Sequence, residues 1–75
     1  MEKYLNLSGD SGVLEYEVGP EFIVLRFKRN STRYLYDHFS AGKNRILDMI
    51  RLARSGQGLA TYVARHVKGM YARKY

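Results

Sequence analysis

The 75-residue sequence contains no cysteine, no tryptophan and a single proline. Without cysteine the chain can form neither a disulfide nor a thiolate metal site, and this composition favours a cytoplasmic location. The sequence also lacks an uninterrupted apolar run of about 18 residues, so we expect no membrane-spanning segment and no membrane partner. Hydrophobic residues make up 45% of the chain, which predicts one small folded domain.

Acidic residues are scarce and unevenly placed. Residues 1–21 hold five of the seven acidic residues and one lysine, whereas residues 22–75 hold the other 12 basic residues and two acidic ones. The net charge is therefore −4 in the first part and +10 in the second. A basic domain of this kind attracts polyanions, although ordinary solvated surfaces also carry lysine and arginine.

Three segments, 13–18, 22–28 and 32–36, have the side-chain alternation and the β-branched and aromatic content of strands. Gly19-Pro20 separates the first two, because proline lacks the N–H that a strand interior needs. A polar turn around Asn30, a residue able to adopt positive φ, separates the second and third. Strands joined by short turns predict an antiparallel meander.

The alternation also predicts which side chains share a sheet face. Tyr34 and Tyr36 lie on one face of the third strand, and two interpretations are open. We favour core positions, because the helices need an apolar face to cover; on an exposed face the two rings would instead form a stacking platform for bases. Val24 and Leu35 fall on the outer face and could mark a partner or dimer contact. The expected inward residues of the first two strands are Leu14, Tyr16, Val18, Ile23, Leu25 and Phe27.

The C-terminal half changes to a helical period. Asp37 or Ser40 can cap a first helix, which is expected to end near Ser55–Gly56. Its buried stripe is predicted to be Ile46, Leu47, Ile50 and Ala53. The second helix has a predicted stripe of Leu59, Tyr62, Val63, His66, Val67 and Met70.

These elements predict an α+β fold, a three-stranded antiparallel meander sheet packed against two C-terminal helices. We assign residues 11–75 to a single domain and residues 1–10 to an N-terminal segment whose flexibility is left open. The tail, residues 72–75, is expected to fray.

Catalysis has little support in the sequence. His38 and His66 are the two histidines, and no arrangement of them with the acidic residues has metal-ligand spacing or forms a nucleophile and base pair. We expect no enzyme, no catalytic residue, no metal and no cofactor. His66 is interpreted as a partly buried structural residue. Ser55–Gly58 is interpreted as a turn between two helices, with the weaker alternative that the second helix start holds a phosphate.

The predicted function is nucleic-acid binding, with RNA or another nucleic acid as partner. The alternative is a protein–protein interaction or self-association module that has a protein partner or forms a homodimer. The candidate nucleic-acid-binding residues are Arg26, Lys28, Arg29, Arg33, Tyr34, Tyr36, Arg65 and Lys68.

The order of motifs over residues 11–70 resembles the KTSC domain family. Tyr34-Leu35-Tyr36 matches the family's Tyr-x-Tyr motif, and the preceding strand ends in Phe27 as in the family. Ala53, Ser55 and Gly56 match its helix end, and Gly58-Leu59 opens the last segment. The glycine that often precedes Tyr-x-Tyr is missing here. The family is named after a domain at the C-terminus of some lysyl-tRNA synthetases, and this association favours RNA binding. The resemblance itself implies no settled activity and no catalytic residue.

Overall fold

The computed structural model describes residues 1–9, 11–29 and 31–75. Within these ranges the chain forms a five-stranded antiparallel sheet whose strands are neighbours in sequence order. Two helices and a π-helical segment lie between the fourth and fifth strands. The elements are β1 (Glu2–Lys3), β2 (Val13–Val18), β3 (Phe22–Phe27), β4 (Arg33–Asp37), α1 (Lys43–Ser55), α2 (Leu59–Tyr62), the π-helical segment (Val63–Val67) and β5 (Arg73–Lys74).

The three predicted strands are confirmed as β2, β3 and β4, and the α+β class is confirmed with them. The predicted number of three strands was too low, because β1 and β5 each add a strand at one edge of the sheet. Each of these strands has only two residues, which is too short to display a period. The tail that was expected to fray instead pairs with β4. The prediction of positive φ at Asn30 lies outside the described residues.

A bulge near the start of β2 changes the predicted inward face. Val13 pairs with Phe27 and Glu15 pairs with Arg26, so β2 has one extra residue between these two pairs. The extra residue reverses the alternation at this point. Val13 is therefore fully buried, whereas Leu14, which was expected to point inward, is only half-buried.

The core fills the space between one sheet face and the helices. The register of β3 and β4 places Ile23 beside Tyr36 and Leu25 beside Tyr34. Ile46 and Met49 of α1 are fully buried on the other side of the core. The outer sheet face has no covering layer among the described residues. Val24 on this face is nevertheless only 2% exposed, so it offers almost no surface for the predicted partner contact.

Helix α1 begins and buries its face differently from the prediction. Asp37 and Ser40 bond to each other, with Ser40 N–H donating to Asp37 Oδ1 at 2.7 Å and Asp37 N–H to Ser40 Oγ at 3.1 Å. They therefore stabilise the turn before the helix, while Gly42 precedes α1 without a side-chain cap. Met49 takes the buried position predicted for Leu47, which is 51% exposed.

The second helix is short and continues as the π-helical segment. Leu59, Val63 and Val67 are buried at four-residue intervals. The π turn is wider than an α turn, so residues four apart stay on one side of it. His66, which regular α-helical spacing places beside Val63 in the stripe, therefore points outward. His66 is exposed and Met70 is 37% exposed, so their assignment to the core stripe was wrong.

The N-terminal residues contribute to the core through Tyr4, which is 2% exposed. Its hydroxyl accepts a hydrogen bond of 3.3 Å from the Leu59 N–H, the first residue of α2. Leu7 N–H donates to the Gly56 carbonyl at 2.7 Å.

Among the described helices, none combines the length and hydropathy that crossing a bilayer requires.

The glycines at the α1–α2 turn yield a stability prediction. Gly56 and Gly58 have φ of 81° and 84°, a region that L-residues avoid at a cost of about 1–2 kcal/mol. A Cβ at Gly56 would also lie 2.7 Å from Leu5 Cβ, an atom that cannot move without its backbone. At Gly58 the nearest atom would be 3.5 Å away. Gly56→Ala should therefore destabilise the fold more than Gly58→Ala, by roughly 1–3 kcal/mol.

Urea denaturation of both variants measures this difference, since the two share the backbone strain and differ in the clash. Equal midpoints for the two variants would contradict the close approach of the N-terminal segment to Gly56.

Candidate functional site

A cavity of about 360 Å³ opens where the end of β3, strand β4 and the chain following the π-helical segment meet. Four aromatic side chains form much of its wall. A depression of about 460 Å³ at residues 41–45 is larger but contains no aromatic side chain. The residues lining the aromatic cavity are Gly12, Phe27, Arg29, Tyr34, Tyr36, Val63, Lys68, Gly69 and Tyr71.

The aromatic rings of the cavity contact each other edge to face. Phe27 and Tyr34 have ring centroids 5.5 Å apart at 82°, and Tyr34 and Tyr71 are 5.1 Å apart at 67°. Tyr36 and Tyr71 are 6.3 Å apart at 81°. Edge-to-face pairs add stabilisation beyond buried area, so the wall keeps its shape without a ligand.

Tyr34 and Tyr36 occupy the face toward the helices, and the favoured core interpretation is confirmed. Tyr36 is 3% exposed, and Tyr34 packs against the same core while half-buried. They do not form an open platform on the outer sheet face. They do, however, line the cavity, so part of each side chain remains available from one side.

The Tyr36 hydroxyl in the cavity differs from the hydroxyls of Tyr4 and Tyr62. Tyr4 accepts from the Leu59 N–H, and Tyr62 donates to Asp48 Oδ2 at 3.1 Å. The Tyr36 hydroxyl forms no hydrogen bond with the described part of the chain. Burial, and then the neighbouring hydroxyls of Tyr34 and Tyr71, raise the pKa of Tyr36 to about 12. Its hydroxyl therefore stays protonated and able to donate at physiological pH.

Cations stand at the mouth of the cavity. Arg29 comes from the turn after β3 and Lys68 from the turn after the π-helical segment, and both are exposed. Gly69, with φ of 78°, turns the chain immediately after Lys68. Lys74 pairs with Tyr34 across β4 and β5, so the two residues share the sheet face of the cavity. The site thus combines an aromatic interior with a positive entrance.

Only half of the predicted nucleic-acid-binding residues come together at this cavity: Arg29, Tyr34, Tyr36 and Lys68. Arg26 lies on the outer face, where its Nε is 2.6 Å from Glu15 Oε1 and both side chains are 27% exposed. That ion pair already engages much of the Arg26 charge. Lys28 is exposed after the end of β3, and Arg65 is exposed on the π-helical segment.

Arg33 belongs to a separate outer group at the β4–β5 edge. Its backbone exchanges two hydrogen bonds with Tyr75, and its guanidinium lies 6.0 Å from the Tyr75 ring centroid. The Arg73 guanidinium lies 4.8 Å from the same ring. The predicted cations therefore divide between two faces of the sheet and do not form one continuous surface.

The remaining motifs have structural roles. The interpretation of residues 55–58 as a turn is supported, because the Leu59 N–H that would face an anion bonds to the Tyr4 hydroxyl. His66 packs its ring 4.6 Å from that of Tyr62 on the surface. Across the described ranges, no three histidine or acidic side chains are grouped so that they could hold a metal ion.

Sequence reasoning missed Tyr71 as a lining residue of the cavity and Lys74 as a cation on the same sheet face. Both belong to the tail that returns to the sheet after Gly69. Gly69, which lies two residues after the last buried position, Val67, has φ of 78°, and a glycine of this conformation after a helix end often marks such a reversal. It was the available signal.

Comparisons with protein-family models, curated proteins and solved structures found no match for this chain. The resemblance to the KTSC family stays a prediction, as do the absence of catalysis and the cytoplasmic location.

The raised pKa of Tyr36 leads to a titration prediction. Above pH 10 an unfolded chain ionises this phenol while the folded chain does not, so the unfolding free energy falls as pH rises from about 10 to about 12. Ultraviolet titration of the folded protein should show a phenolate that appears only near pH 12, and Tyr36→Phe should remove it. If the Tyr36→Phe variant and the original protein gave the same titration curve above pH 11, the assignment of the high pKa to Tyr36 would be contradicted.

Proposed function

We propose that this chain is a small non-catalytic domain that binds single-stranded RNA or another unpaired nucleic acid at the aromatic cavity. The observation that carries this proposal is the combination of a ring-lined interior with Arg29 and Lys68 at its entrance. Nucleotides have the complementary arrangement, a planar apolar base linked to an anionic phosphate. Aromatic rings next to arginine and lysine are typical of single-strand binding sites.

The location of the rings favours an unpaired strand over a duplex. Tyr36 and Val63 are the most buried of the apolar lining residues, at 3% and 9% exposure, so they form the interior of the cavity. A base reaches such an interior only when it is unstacked from its neighbours. Bases in a duplex are stacked and paired, and extruding one costs a few kcal/mol.

Lys74 extends the positive surface beyond the entrance, because it lies on the cavity side of β5, whereas Arg73 and Arg33 lie on the opposite face. A bound strand that leaves the cavity can therefore place its next phosphate near Lys74. This continuation supports a strand as the ligand more than a free nucleotide, and the net charge of +6 would speed its encounter with the domain.

A salt-dependent binding measurement tests this function. We expect a labelled single-stranded RNA to bind more tightly than duplex DNA, with affinity that falls as salt rises. Arg29→Ala combined with Lys68→Ala should weaken binding and reduce the salt slope by about 1.4, because each phosphate contact to a single strand contributes about 0.7.

The control is Lys43→Ala combined with Arg54→Ala, which removes the same charge from exposed positions of α1 away from the cavity lining. An equal loss of affinity in the two double variants would show that general charge, not the cavity, binds the strand. Absence of binding at low salt would overturn the nucleic-acid function.

The alternative function, a protein-interaction module, draws on a different observation. Phe39 is 94% exposed on the turn held by Asp37 and Ser40, and Leu47 is also exposed. An exposed aromatic side chain is a common anchor of protein interfaces. If this alternative is correct, the RNA stays unbound, and sedimentation velocity should show a homodimer that Phe39→Ser dissociates. A monomer at all concentrations would reject the homodimer.

A further inference from the structure

We infer that Tyr36 is a specificity-determining residue, whose hydroxyl donates a hydrogen bond to the edge of the single base held in the cavity. This inference rests on the proposed function and extends it. Stacking alone accepts every base, because every base has an aromatic face. A directed hydrogen bond distinguishes bases, since their edges differ in donors and acceptors.

The Tyr36 hydroxyl is deeply placed and has no partner within the described part of the chain. The Tyr36 side chain is only 3% exposed, yet its hydroxyl bonds to none of the described residues. Polar groups that deeply placed are nearly always hydrogen-bonded. No fully enclosed polar atom lacks a partner in the described part of the chain, so this hydroxyl retains access from the cavity side.

The chain satisfies comparable hydroxyls elsewhere. Tyr4 and Tyr62 each reach a partner within the chain, the Leu59 N–H and the Asp48 carboxylate. Tyr36 lies in a wall whose neighbours are aromatic rings, Tyr34 beside it on β4 and Tyr71 across from it. The hydroxyl therefore faces a space where a ligand atom can replace water.

The direction of the cavity determines which part of a nucleotide meets Tyr36. Arg29 and Lys68 are exposed, whereas Tyr36 and Val63 are buried. A phosphate at the cations places the attached base inward, toward the hydroxyl. The volume of about 360 Å³ is near the lower end of the range for small-ligand sites, about 300–1,000 Å³, so it suits one nucleotide.

The test compares Tyr36→Phe with the original protein, using hexamers of A, C, G and U. A fully abasic hexamer with the same sugar–phosphate backbone is also prepared. We expect the original protein to prefer one base over the others, and Tyr36→Phe to lower affinity for that hexamer by about three- to tenfold. Affinity for the fully abasic hexamer should not change, because it presents no base edge to the hydroxyl.

Tyr62→Phe is the matched control, since it removes a hydroxyl that bonds outside the cavity. It should leave base preference unchanged. Urea denaturation of both variants verifies that each is folded under the binding conditions.

Two failures can be told apart. If the original protein binds no hexamer at low salt, the proposed function itself fails. If it binds and Tyr36→Phe keeps the same base preference, the nucleic-acid function stands and the role of Tyr36 is overturned. A free mononucleotide that binds as tightly as the hexamer would overturn the strand as ligand, with the Tyr36 hydroxyl still tested by the same variant.

Discussion

The pairing of β3 with β4 is the constraint on which both the core and the cavity depend. It places Tyr36 beside Ile23 and Tyr34 beside Leu25, so both tyrosines face the helices. A slip of one residue would turn them to the outer face and leave the core unfilled. The tail then completes the cavity, because the Ala72 N–H donates to the Leu35 carbonyl at 2.7 Å and holds Tyr71 against the two rings.

The longer elements of the fold could be predicted because their patterns extend over whole segments. β2, β3, β4 and the C-terminal end of α1 follow from alternation, helical spacing and the glycine at position 56. The edge strands β1 and β5 could not be predicted, because a two-residue strand shows no period and forms only by pairing with a sheet that already exists. The bulge at Leu14 and the π-helical segment also escaped, because each inserts a local shift that a regular period does not contain.

Half of the predicted site residues line the cavity. Arg29, Tyr34, Tyr36 and Lys68 were identified from aromatic and basic composition, and the structure gathers them around one cavity. Strand alternation already puts Arg33 on the face opposite Tyr34 and Tyr36, but it could not show that Arg29 and Lys68 meet these rings, because both lie on turns that carry no period. Tyr71 was missed for a related reason: its place depends on the reversal at Gly69, which tertiary pairing with β4 stabilises.

The most direct test of the central claim is a nuclear magnetic resonance titration of the labelled protein with a single-stranded RNA hexamer. The account predicts that the largest shifts occur in the aromatic resonances of Tyr34, Tyr36 and Tyr71 and in the amide of Gly69, which line the cavity. Shifts confined to the outer face, at Arg33 and Arg73, would contradict it. Such a result would show that the strand binds the sheet surface through charge alone.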